Sequence, residues 1–339
     1  MPGSPTIFVT GATGFIGTAL VAELVRRGNR VRALTRATSD RAGLALDGVT
    51  LVTGDILDPD SLARGMAGCS RAFHLAAYAR NWARDPRTFF THNVEGARNV
   101  LAAARAAGVE RVVFTSTVVT LGPTPPGVVA DEATPRGTPR FFTAYEESKT
   151  HAEREALRWA AEGLPVVIVN PTRVYGPGKL TEGNSVTHMI DLYDRGRLPV
   201  VLGGGRVGNY VLVDDLVRGH ILAMEKGRAG ERYLLGGENA SLAGLFELVD
   251  AVSGRKHRQV SLPRHLALAY AYLEEKKAEW LGAYPLITPG WVETFLRDWA
   301  YTSAKAEREL GYTTTPLREG VRLTYEWLVR SRQAGRSVA

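Results

Sequence analysis

The stretch Thr10-Gly11-Ala12-Thr13-Gly14-Phe15-Ile16-Gly17 decides the fold of this chain. It follows the apolar run Ile7-Phe8-Val9, which predicts a short buried strand, and it precedes residues 18–27, whose apolar side chains recur at helical spacing. A glycine-rich turn between a strand and a helix is the context in which a dinucleotide can bind. The three glycines permit a tight turn, a close approach to a pyrophosphate, and close packing of the helix on the strand. Free N–H groups at the helix start would face the phosphates, although three glycines can also serve a turn alone.

The first half of the chain alternates between predicted strands and predicted helices. Further strands are expected at 31–35, 50–53, 71–75, 111–115 and 165–169, and helices at 61–67, 85–107 and 143–162. This alternation indicates βαβ units and a parallel sheet, and right-handed crossovers would place helices on both faces. We therefore predict an α/β fold with a Rossmann-type, doubly wound parallel sheet, which binds its ligands at the carboxyl ends of the strands.

The second half of the chain changes character. Loops with glycine and proline become denser between residues 176 and 208, and helical patterns follow at 242–253, 265–282, 289–300, 304–310 and 317–332. Residues 211–215 predict a strand that leads into a helix capped by an aspartate. We predict two domains: a dinucleotide-binding domain at 1–175 plus 206–229, and a smaller, mostly helical C-terminal substrate domain at 176–205 plus 230–339.

The composition is that of an ordinary globular protein, since 45% of the 339 residues are hydrophobic and 23% are charged. The single cysteine, Cys69, excludes an intramolecular disulfide and fits a reducing compartment. We find no secretory signal at 1–5 and no apolar helix long enough to span a bilayer, and we expect a cytoplasmic protein.

The net charge is +7, but the arginines are scattered without a nucleic-acid motif, so no nucleic acid partner is expected. The seven histidines lie too far apart for a metal site, and none is predicted.

Two stretches carry residues that suit proton transfer. Tyr145 and Lys149 are four residues apart on a predicted helix, so both project from one face. A nearby ammonium lowers the pKa of a phenol, and a phenol so tuned can exchange a proton with a carbonyl or hydroxyl oxygen. The hydroxyls of Thr115, Ser116 and Thr117 end a predicted strand, where one could donate a hydrogen bond to a substrate oxygen. The alternatives are an exposed tyrosine beside a solvated lysine, and hydroxyl residues that merely begin a turn.

Several motifs in a fixed order resemble the extended short-chain dehydrogenase/reductase family, of the NAD-dependent epimerase/dehydratase type. The resemblance covers nearly the whole chain, and within the family it is closest to the dihydroflavonol-reductase-like branch, which includes bacterial proteins named as sugar epimerases of hopanoid gene clusters. Besides the glycine turn and the stretches above, it rests on His74-Leu75-Ala76-Ala77, Asn93-Val94-Glu95-Gly96, Asn170-Pro171-Thr172-Arg173-Val174-Tyr175-Gly176-Pro177, Val211-Leu212-Val213-Asp214-Asp215 and Ser303-Ala304-Lys305-Ala306-Glu307-Arg308-Glu309-Leu310-Gly311-Tyr312.

The resemblance implies a role for each matching residue. Tyr145 would be the acid/base, Lys149 would tune it and hold the nicotinamide ribose, and Thr117, with Ser116 as the fallback, would supply the catalytic hydroxyl. Asp55 and Ile56 would contact adenine. Asn93 would brace the site, which an asparagine in a core helix can also do without catalysis. The residues expected to contact the cofactor are Gly11, Thr13, Gly14, Phe15, Ile16, Gly17, Arg36, Asp55, Ile56, Ala76, Ala77, Asn93, Thr115, Tyr145, Lys149, Pro171 and Val174.

Two departures from the family pattern bear on the ligands. Cofactors without a 2′-phosphate usually meet an acidic residue at the end of the second strand, where this chain has Thr35 and then Arg36. Because an arginine can pair with a 2′-phosphate, we favour NADP over NAD, although Arg36 could be a surface residue and Asp40 lies nearby. Sugar-nucleotide members commonly have Arg-Asp-aromatic where this chain has Gly208-Asn209-Tyr210. The missing arginine argues against a nucleotide-sugar substrate, unless Arg173 or Arg206 replaces it.

The sequence therefore predicts an NADPH-dependent reductase of a ketone or aldehyde on a small, fairly apolar molecule. A nucleotide-sugar epimerase or dehydratase with tightly bound NAD(P) is the alternative, and a non-catalytic NADP-binding redox sensor is a third. We also expect a homodimer, because the helices at 85–107 and 143–162 have more apolar residues than one sheet contact needs. In the resembling family this helix pair meets its copy across a two-fold axis as a four-helix bundle. The alternative is that the monomer buries both faces.

Overall fold

A seven-stranded parallel sheet forms the centre of the computed structural model, which describes residues 5–335. Residues 1–4, which include most of the stretch examined for a secretory signal, lie outside the described residues. The strands are β1 (Thr6–Thr10), β2 (Arg30–Thr35), β3 (Val49–Thr53), β4 (Arg71–His74), β5 (Arg111–Thr115), β6 (Val166–Pro171), β7 (Arg173–Tyr175), β8 (Val200–Val201), β9 (Val207–Leu212), β10 (Arg232–Leu235), β11 (Glu238–Ser241) and β12 (Val260–Ser261). The order in the large sheet is β10-β6-β5-β4-β1-β2-β3.

Helices cover both faces of this sheet. They are α1 (Phe15–Arg26), α2 (Pro59–Met66), α3 (Arg87–Phe90), α4 (Gly96–Ala106), α5 (Ala144–Ala161), α6 (Ser185–Asp194), α7 (Val213–Lys226), α8 (Leu242–Ser253), α9 (Arg264–Leu281), α10 (Pro289–Phe295), α11 (Ala304–Leu310) and α12 (Leu317–Gln333). One apolar core joins the strands to α1, α7 and α11, and the other joins them to α2, α4 and α5. The predicted Rossmann-type, doubly wound fold is confirmed.

The chain reverses its direction across the sheet at β1, which pairs with β2 on one side and with β4 on the other. The turn after β1 lies against the loop after β4 at this point. Gly11 has a φ of +70°, and a Cβ there would come within 2.6 Å of Ala76 N. A side chain at Gly17 would overlap the Gly11 carbonyl oxygen. Both positions therefore require glycine, and the crevice between β1 and β4 is where such sheets bind their ligands.

A second unit lies beyond the carboxyl edge of the sheet. Its core joins α6, α8 and α12 to a three-stranded sheet of order β11-β9-β7. Strand β10 lies within the range predicted for this unit but completes the large sheet by pairing with β6. Helix α11, from the same range, packs against α7 and β10. The division into two domains stays a prediction, with these two elements on the side of the large sheet.

The helix expected at 85–107 is interrupted by a wide π-helical turn at Thr91–Glu95, between α3 and α4. Nearly all the apolar residues from which we predicted a dimer are buried within the single chain. These are Phe89, Val94, Ala97, Val100, Leu101 and Ala104, and Phe90 is half-buried. Ion pairs instead join the outer faces of α4 and α5, Arg98 with Glu155 at 2.6 Å and Arg105 with Glu162 at 3.4 Å. The homodimer stays a prediction, but surplus apolar surface no longer supports it.

Two further expectations for the second half need correction. Helix α7 begins at Val213 after an uncapped Leu212, so no aspartate caps it. Asp215 instead lies within the first turn, where its carboxylate accepts hydrogen bonds from Thr315 N at 2.6 Å and Thr315 Oγ1 at 3.0 Å. Helix α10 ends at Phe295 rather than near residue 300, because residues 298–301 form β-bridges with 124, 130 and 208. Within the described part of the chain, no helix is long and apolar enough to cross a membrane.

Candidate active site

The catalytic residues that we predicted meet at the carboxyl end of β5. Tyr145 lies in the first turn of α5, which Thr143 caps by accepting a hydrogen bond from Glu146 N at 3.1 Å. Thr117 follows β5, and its side chain lies next to the Tyr145 hydroxyl, close enough to lower the pKa of the phenol. Lys149, one turn further along α5, donates from Nζ to the Thr115 carbonyl oxygen at 2.9 Å. The structure thus brings the Tyr145 phenol, the Thr117 hydroxyl and the Lys149 ammonium together at the carboxyl end of β5. We call this group of three side chains the catalytic wall, after the role predicted for it.

The fallback hydroxyl, Ser116, is used elsewhere. It is buried and donates to Glu153 Oε2 at 2.5 Å, so its proton is committed to that carboxylate. Thr117 Oγ1 accepts only a long bond from Val119 N, at 3.4 Å, besides its contact with Tyr145. The geometry therefore favours Thr117 over Ser116 as the hydroxyl that reaches a substrate.

The pKa of Tyr145 differs from our expectation. Burial raises the pKa of Tyr145 to about 12, and the adjacent Thr117 side chain only partly opposes this rise. We had expected Lys149 to lower this pKa, but the ammonium is directed to the Thr115 carbonyl oxygen and lies over the ring of Phe114 at 5.3 Å. Tyr145 is therefore a neutral phenol at physiological pH, the form that can donate a proton.

Burial also changes the pKa of Lys149, which it lowers to about 8, while the negative charge of Glu153 acts in the opposite direction. Two buried histidines lie nearby and are neutral. Burial lowers the pKa of His74 to about 3, with a further contribution from Lys149, and lowers that of His220 to about 4. Lys149 is thus the positive charge of this wall at neutral pH, and it loses its proton as the pH rises through about 8.

A buried carboxylate that was not predicted from the sequence lies one helical turn beyond Lys149. Glu153 lies one turn after Lys149 on α5 and is 4% exposed. Its Oε2 accepts three hydrogen bonds, from Ser116 Oγ at 2.5 Å, Thr120 Oγ1 at 2.9 Å and Asn170 Nδ2 at 2.7 Å, and its Oε1 lies 3.3 Å from Arg232 Nη1.

This network reaches the backbone of Thr117 as well, because Asn170 Nδ2 also donates to the Thr117 carbonyl oxygen at 3.1 Å. Glu153 thereby joins the catalytic helix to the ends of β5 and β6 and to strand β10. Although Asn170 Oδ1 has no hydrogen-bond partner among the described residues, the other bonds of this buried network fix the relative positions of the groups that they join. The spacing of four residues from Lys149 is the one signal in the sequence that could have pointed to Glu153.

Replacing the charge of Glu153 should change the pH dependence of activity. In Glu153→Gln the shape is kept but the charge that supports protonated Lys149 is lost, so the pKa of Lys149 should fall further. We expect the alkaline fall of kcat/KM to move to lower pH by about one unit. The control is Glu155→Gln, which removes the same charge from the outer face of α5, where Glu155 pairs with Arg98. A lower melting temperature with an unchanged pH profile would show that Glu153 is only structural.

Asn93 braces the catalytic helix from the π-helical turn. Its Nδ2 donates to Ser148 Oγ at 2.9 Å, and its Oδ1 accepts a bond from Tyr78 N at 2.7 Å. It therefore ties α5 to the loop that follows β4. The wider turn at Thr91–Glu95 places the asparagine at this junction, and such turns occur frequently at functional sites.

The turn after β1 fits the phosphates of a dinucleotide. Gly14 is the N-cap of α1, and no side chain caps the helix there, so the N–H groups of its first turn are available to an anion. The predicted contact residues Thr13, Phe15 and Ile16 belong to this turn and first helical residues, and Phe15 also packs against Gly178. Ala76 lies against Gly11, and its N–H donates to Thr10 Oγ1 at 3.2 Å. Ala77 follows Ala76 in the same loop.

Unpartnered polar atoms at the end of β2 also fit a bound dinucleotide. Thr35 Oγ1 and Arg41 Nε are buried and have no hydrogen-bond partner within residues 5–335. Arg41 donates from Nη2 to the Arg36 carbonyl oxygen at 3.0 Å, so two arginines lie together at this edge. Asp40 is paired with Lys179 at 2.8 Å, which compensates its charge. Positive charge therefore prevails where a 2′-phosphate would lie, and Arg41 is a contributor that the sequence analysis missed.

Arg36→Ala should weaken NADPH binding by about ten-fold or more and leave NADH binding within about two-fold, because a charge-assisted hydrogen bond to the 2′-phosphate contributes about 1.5–3 kcal/mol. Titration of both dinucleotides by fluorescence or calorimetry measures this difference. Arg26→Ala is the control, since Arg26 is at the opposite end of α1 and pairs with Glu23. Equal weakening of both dinucleotides by Arg36→Ala would mean that Arg36 does not contact the 2′-phosphate.

The other predicted contact residues have partners within the chain. Asp55 Oδ1 accepts from Leu57 N at 2.9 Å, and Ile56 packs against Gly96. The Thr115 hydroxyl is hydrogen-bonded to His220 Nε2 at 3.0 Å. Pro171 and Val174 are buried at the end of β6 and in β7. Their contacts with a dinucleotide stay predictions. Within residues 5–335 no group of acidic residues, histidines or cysteine could hold a metal ion.

The side of the site that would meet the substrate has an arginine of its own. Arg173 lies over the rings of Tyr210 and Phe295, at 5.8 and 5.7 Å, and a Cβ at Gly208 would come within 3.0 Å of its guanidinium. No carboxylate among the described residues pairs with Arg173, whereas Arg206 has Asp298 at 3.7 Å. The space left by the glycine at 208 is thus used by the guanidinium of Arg173.

A cavity of about 430 Å³ lies beside Phe142, three residues before Tyr145. Arg140, Arg206 and Arg297 contribute to its lining, together with a proline-containing loop at 123–126. Neither Tyr145 nor Thr117 lines it. It is therefore a positively charged space next to the catalytic wall rather than the space in which a carbonyl would meet Tyr145.

Comparisons with known proteins agree with this site. Residues 7–236 match the model of the NAD dependent epimerase/dehydratase family. The Synechocystis sp. protein named "Putative dihydroflavonol 4-reductase" is 36% identical over 324 residues, which cover 94% of this chain and 93% of that protein. The crystal structure of gox2253 has a TM-score of 0.84 and 39% identity, covering 98% of this chain and 99% of that one. The UDP-glucose 4-epimerase of Thermotoga maritima, solved with UDP-glucose, has a TM-score of 0.80 and 26% identity, with coverages of 96% and 99%.

The match extends over more than half of the chain, and it includes the glycine turn, the hydroxyl cluster and the Tyr145–Lys149 pair that suggested the resemblance. The similar proteins match over nearly their full lengths. The chain belongs to the NAD-dependent epimerase/dehydratase family.

Proposed function

We propose that this protein is an NADPH-dependent oxidoreductase that reduces a ketone or aldehyde on a small, fairly apolar molecule. The pairing of the Tyr145 and Thr117 hydroxyls at the end of β5 is the observation that carries the proposal. Two hydroxyl donors that converge on one point form a site where a carbonyl oxygen can accept both hydrogen bonds. A neutral phenol is the form required when the oxygen must gain a proton.

In this proposal, each residue of the wall has one task. Thr117 holds the substrate oxygen as negative charge develops on it, and Tyr145 donates its phenolic proton to that oxygen. Lys149 supplies a positive charge below pH about 8 and orients the end of β5 through the Thr115 carbonyl oxygen. The dinucleotide, held at the turn after β1 and by Arg36 and Arg41, would supply the hydride. Asn93 and Glu153 fix α5 in its place.

Two observations support an apolar substrate without a nucleotide. Position 208, where sugar-nucleotide members commonly have an arginine, is a glycine, and 36% identity joins this chain to a protein named as a dihydroflavonol reductase. The preference for NADPH rests on the surplus of positive charge at the end of β2. The cytoplasmic location remains a prediction.

A nucleotide-sugar epimerase or dehydratase is the second candidate, and the position of Arg173 favours it. This guanidinium lies against Gly208 without a carboxylate partner among the described residues, so it could replace the missing arginine at a diphosphate. The similar structure of Thermotoga maritima holds UDP-glucose. An epimerase regenerates its dinucleotide, so the two candidates differ in whether NADPH is consumed.

A spectrophotometric assay separates these candidates. We expect steady oxidation of NADPH with members of a panel of aryl and alkyl ketones and aldehydes, and none with UDP-glucose. Interconversion of UDP-sugars without net oxidation of NADPH would establish the epimerase instead. Binding of NADPH without turnover of either class would point to the redox sensor, although the intact set of Thr117, Tyr145 and Lys149 argues against that outcome.

A further inference from the structure

Helix α9 contacts the rest of the chain through alanines and Leu268, and it exposes its other large apolar side chains. Ala267, Ala271 and Ala278 are its buried residues. The exposed large side chains on and just after this helix are Leu266, Tyr270, Tyr272, Leu273, Trp280, Leu281, Tyr284 and Leu286. Trp280 is 82% exposed and Leu286 80% exposed. Because a helix of a globular protein normally buries its large apolar side chains, this exposure indicates a surface that another body covers.

The exposed residues form one continuous stripe. Leu266, Tyr270, Leu273 and Trp280 follow one another at intervals of four, three and seven residues, which places them on the same face of a helix. At 1.5 Å per residue, α9 with its 18 residues is about 27 Å long, and the stripe extends along most of the helix. We call this stripe, together with Leu281, Tyr284 and Leu286, the α9 face.

The charge around the α9 face indicates the kind of partner. Residues 255–286 have six lysines and arginines and three acidic residues, all glutamates, and two of the six, Arg255 and Arg264, pair with Asp194 and Glu293 outside this segment. Lys256 and Arg258, in the loop before α9, have no acidic partner among residues 5–335. Lys277 lies within the stripe itself and is only loosely paired with Glu274, at 3.4 Å. A second copy of this chain would bring the same positive surplus against it, whereas an anionic surface would complement it.

The position of the α9 face is also informative. Tyr284, which ends it, accepts hydrogen bonds at its hydroxyl from Asn81 N at 3.0 Å and Trp82 N at 3.2 Å. The rings of Tyr284 and Trp82 lie 6.1 Å apart. Asn81 and Trp82 belong to the loop that follows β4 at the carboxyl edge of the sheet, the edge where Tyr145 and Thr117 lie. The α9 face is therefore next to the side on which a substrate enters.

We propose that the α9 face docks this protein on an anionic lipid bilayer. Helix α9 would lie in the plane of the membrane interface, with its leucines among the acyl chains and its tryptophan and tyrosine rings at the level of the headgroups. The lysines and arginines around the face would contact anionic headgroups. An apolar ketone dissolved in the bilayer would then reach the site from the membrane, and this last consequence alone rests on the proposed function.

Sedimentation with vesicles tests the docking on the full-length protein. We expect the protein to pellet with phosphatidylcholine vesicles that contain about one third phosphatidylglycerol, much less with phosphatidylcholine alone, and less as salt is raised. The double variant Leu273→Ser/Trp280→Ser should partition at least about ten-fold more weakly. Val129→Ser is the matched control, because Val129 is 54% exposed but lies outside the α9 face. Lys256→Glu/Arg258→Glu should weaken binding to anionic vesicles without altering α9.

Two results would overturn the proposal. Sedimentation with anionic vesicles that is absent, or that the double variant leaves unchanged, would show that the face does not dock on lipid. A wild-type dimer that Leu273→Ser/Trp280→Ser converts to a monomer in analytical ultracentrifugation would show that a second copy covers the face. The vesicle assay contains no ketone and no dinucleotide, so its outcome is independent of whether the proposed reductase activity is found.

Discussion

Tyr145→Phe should lower kcat by about a thousand-fold, because it removes the phenolic oxygen that, in the proposed mechanism, donates a proton to the substrate. The affinity for NADPH should stay within about two-fold, since the ring and the helix remain. The phenol is neutral at all physiological pH values, because burial raises its pKa to about 12. Rapid-quench or steady-state kinetics, together with a separate binding titration of NADPH, measures both quantities.

Tyr193→Phe is the matched control for this substitution. It also removes one phenolic oxygen, which is hydrogen-bonded to Asp250 at 2.7 Å in the second unit, far along the chain from the catalytic wall. We expect kcat to stay near that of the wild type in this variant. If Tyr145→Phe kept more than a few per cent of the wild-type kcat, another group would have to supply the proton.

Lys149→Met should reduce kcat by about a hundred-fold or more and also weaken the binding of NADPH. Lys149 connects α5 to the Thr115 carbonyl oxygen, and the resemblance to the family implies that it holds the nicotinamide ribose as well. Because burial lowers the pKa of Lys149 to about 8, the ammonium form exists below that pH and disappears above it. The wild-type kcat/KM should therefore fall as the pH rises through about 8, and this fall should be missing in Lys149→Met.

Lys226→Met provides the comparison, since Lys226 also donates to a backbone carbonyl oxygen, that of Leu310, at 2.9 Å. This variant should keep the wild-type pH profile and the affinity for NADPH. An alkaline fall near pH 8 that persists in Lys149→Met would have to come from a different group, and the assigned role of the lysine in catalysis would be wrong.

The sequence was sufficient for most of the sheet, because the signals that predict it are local. The glycine turn after β1 and the apolar runs of β1 to β6 each lie within a few residues. Strand β10 escaped prediction because its four residues follow a helix and a turn and pair with β6, which is distant in the sequence. The π-helical turn at Thr91–Glu95 also escaped, since a helical period does not distinguish one wider turn from its neighbours.

The same distinction between local signals and distant contacts applies to the residues of the site. Tyr145, Lys149 and Thr117 belong to recognisable motifs, and the structure places them on one wall. The Glu153 network could not be predicted, because its partners come from β5, the turn after it, β6 and β10. The pKa of Tyr145 was expected in the wrong direction, because spacing shows that a lysine is near but not how far burial raises the pKa.

Helix α9 shows that the sequence also could not predict which face of a helix is exposed. Its apolar spacing predicts a helix, but a stripe of large side chains normally marks the buried side. Here the row of alanines at 267, 271 and 278 faces inward. Whether a stripe is covered depends on where the neighbouring elements lie, and this information is absent from the periodicity.

The late arrival of strand β10 has a consequence for synthesis on the ribosome. Until residues 232–235 have emerged, the outer edge of β6 has no neighbour, and Glu153 lacks Arg232, its counter-charge. A chain interrupted anywhere from 172 to 231 would therefore present an open strand edge, which invites pairing with other chains, and a carboxylate that has lost its cation in a low-dielectric interior. The nascent chain should accordingly acquire a protease-resistant sheet in one step, after the segment between β6 and β10 has been made, rather than strand by strand.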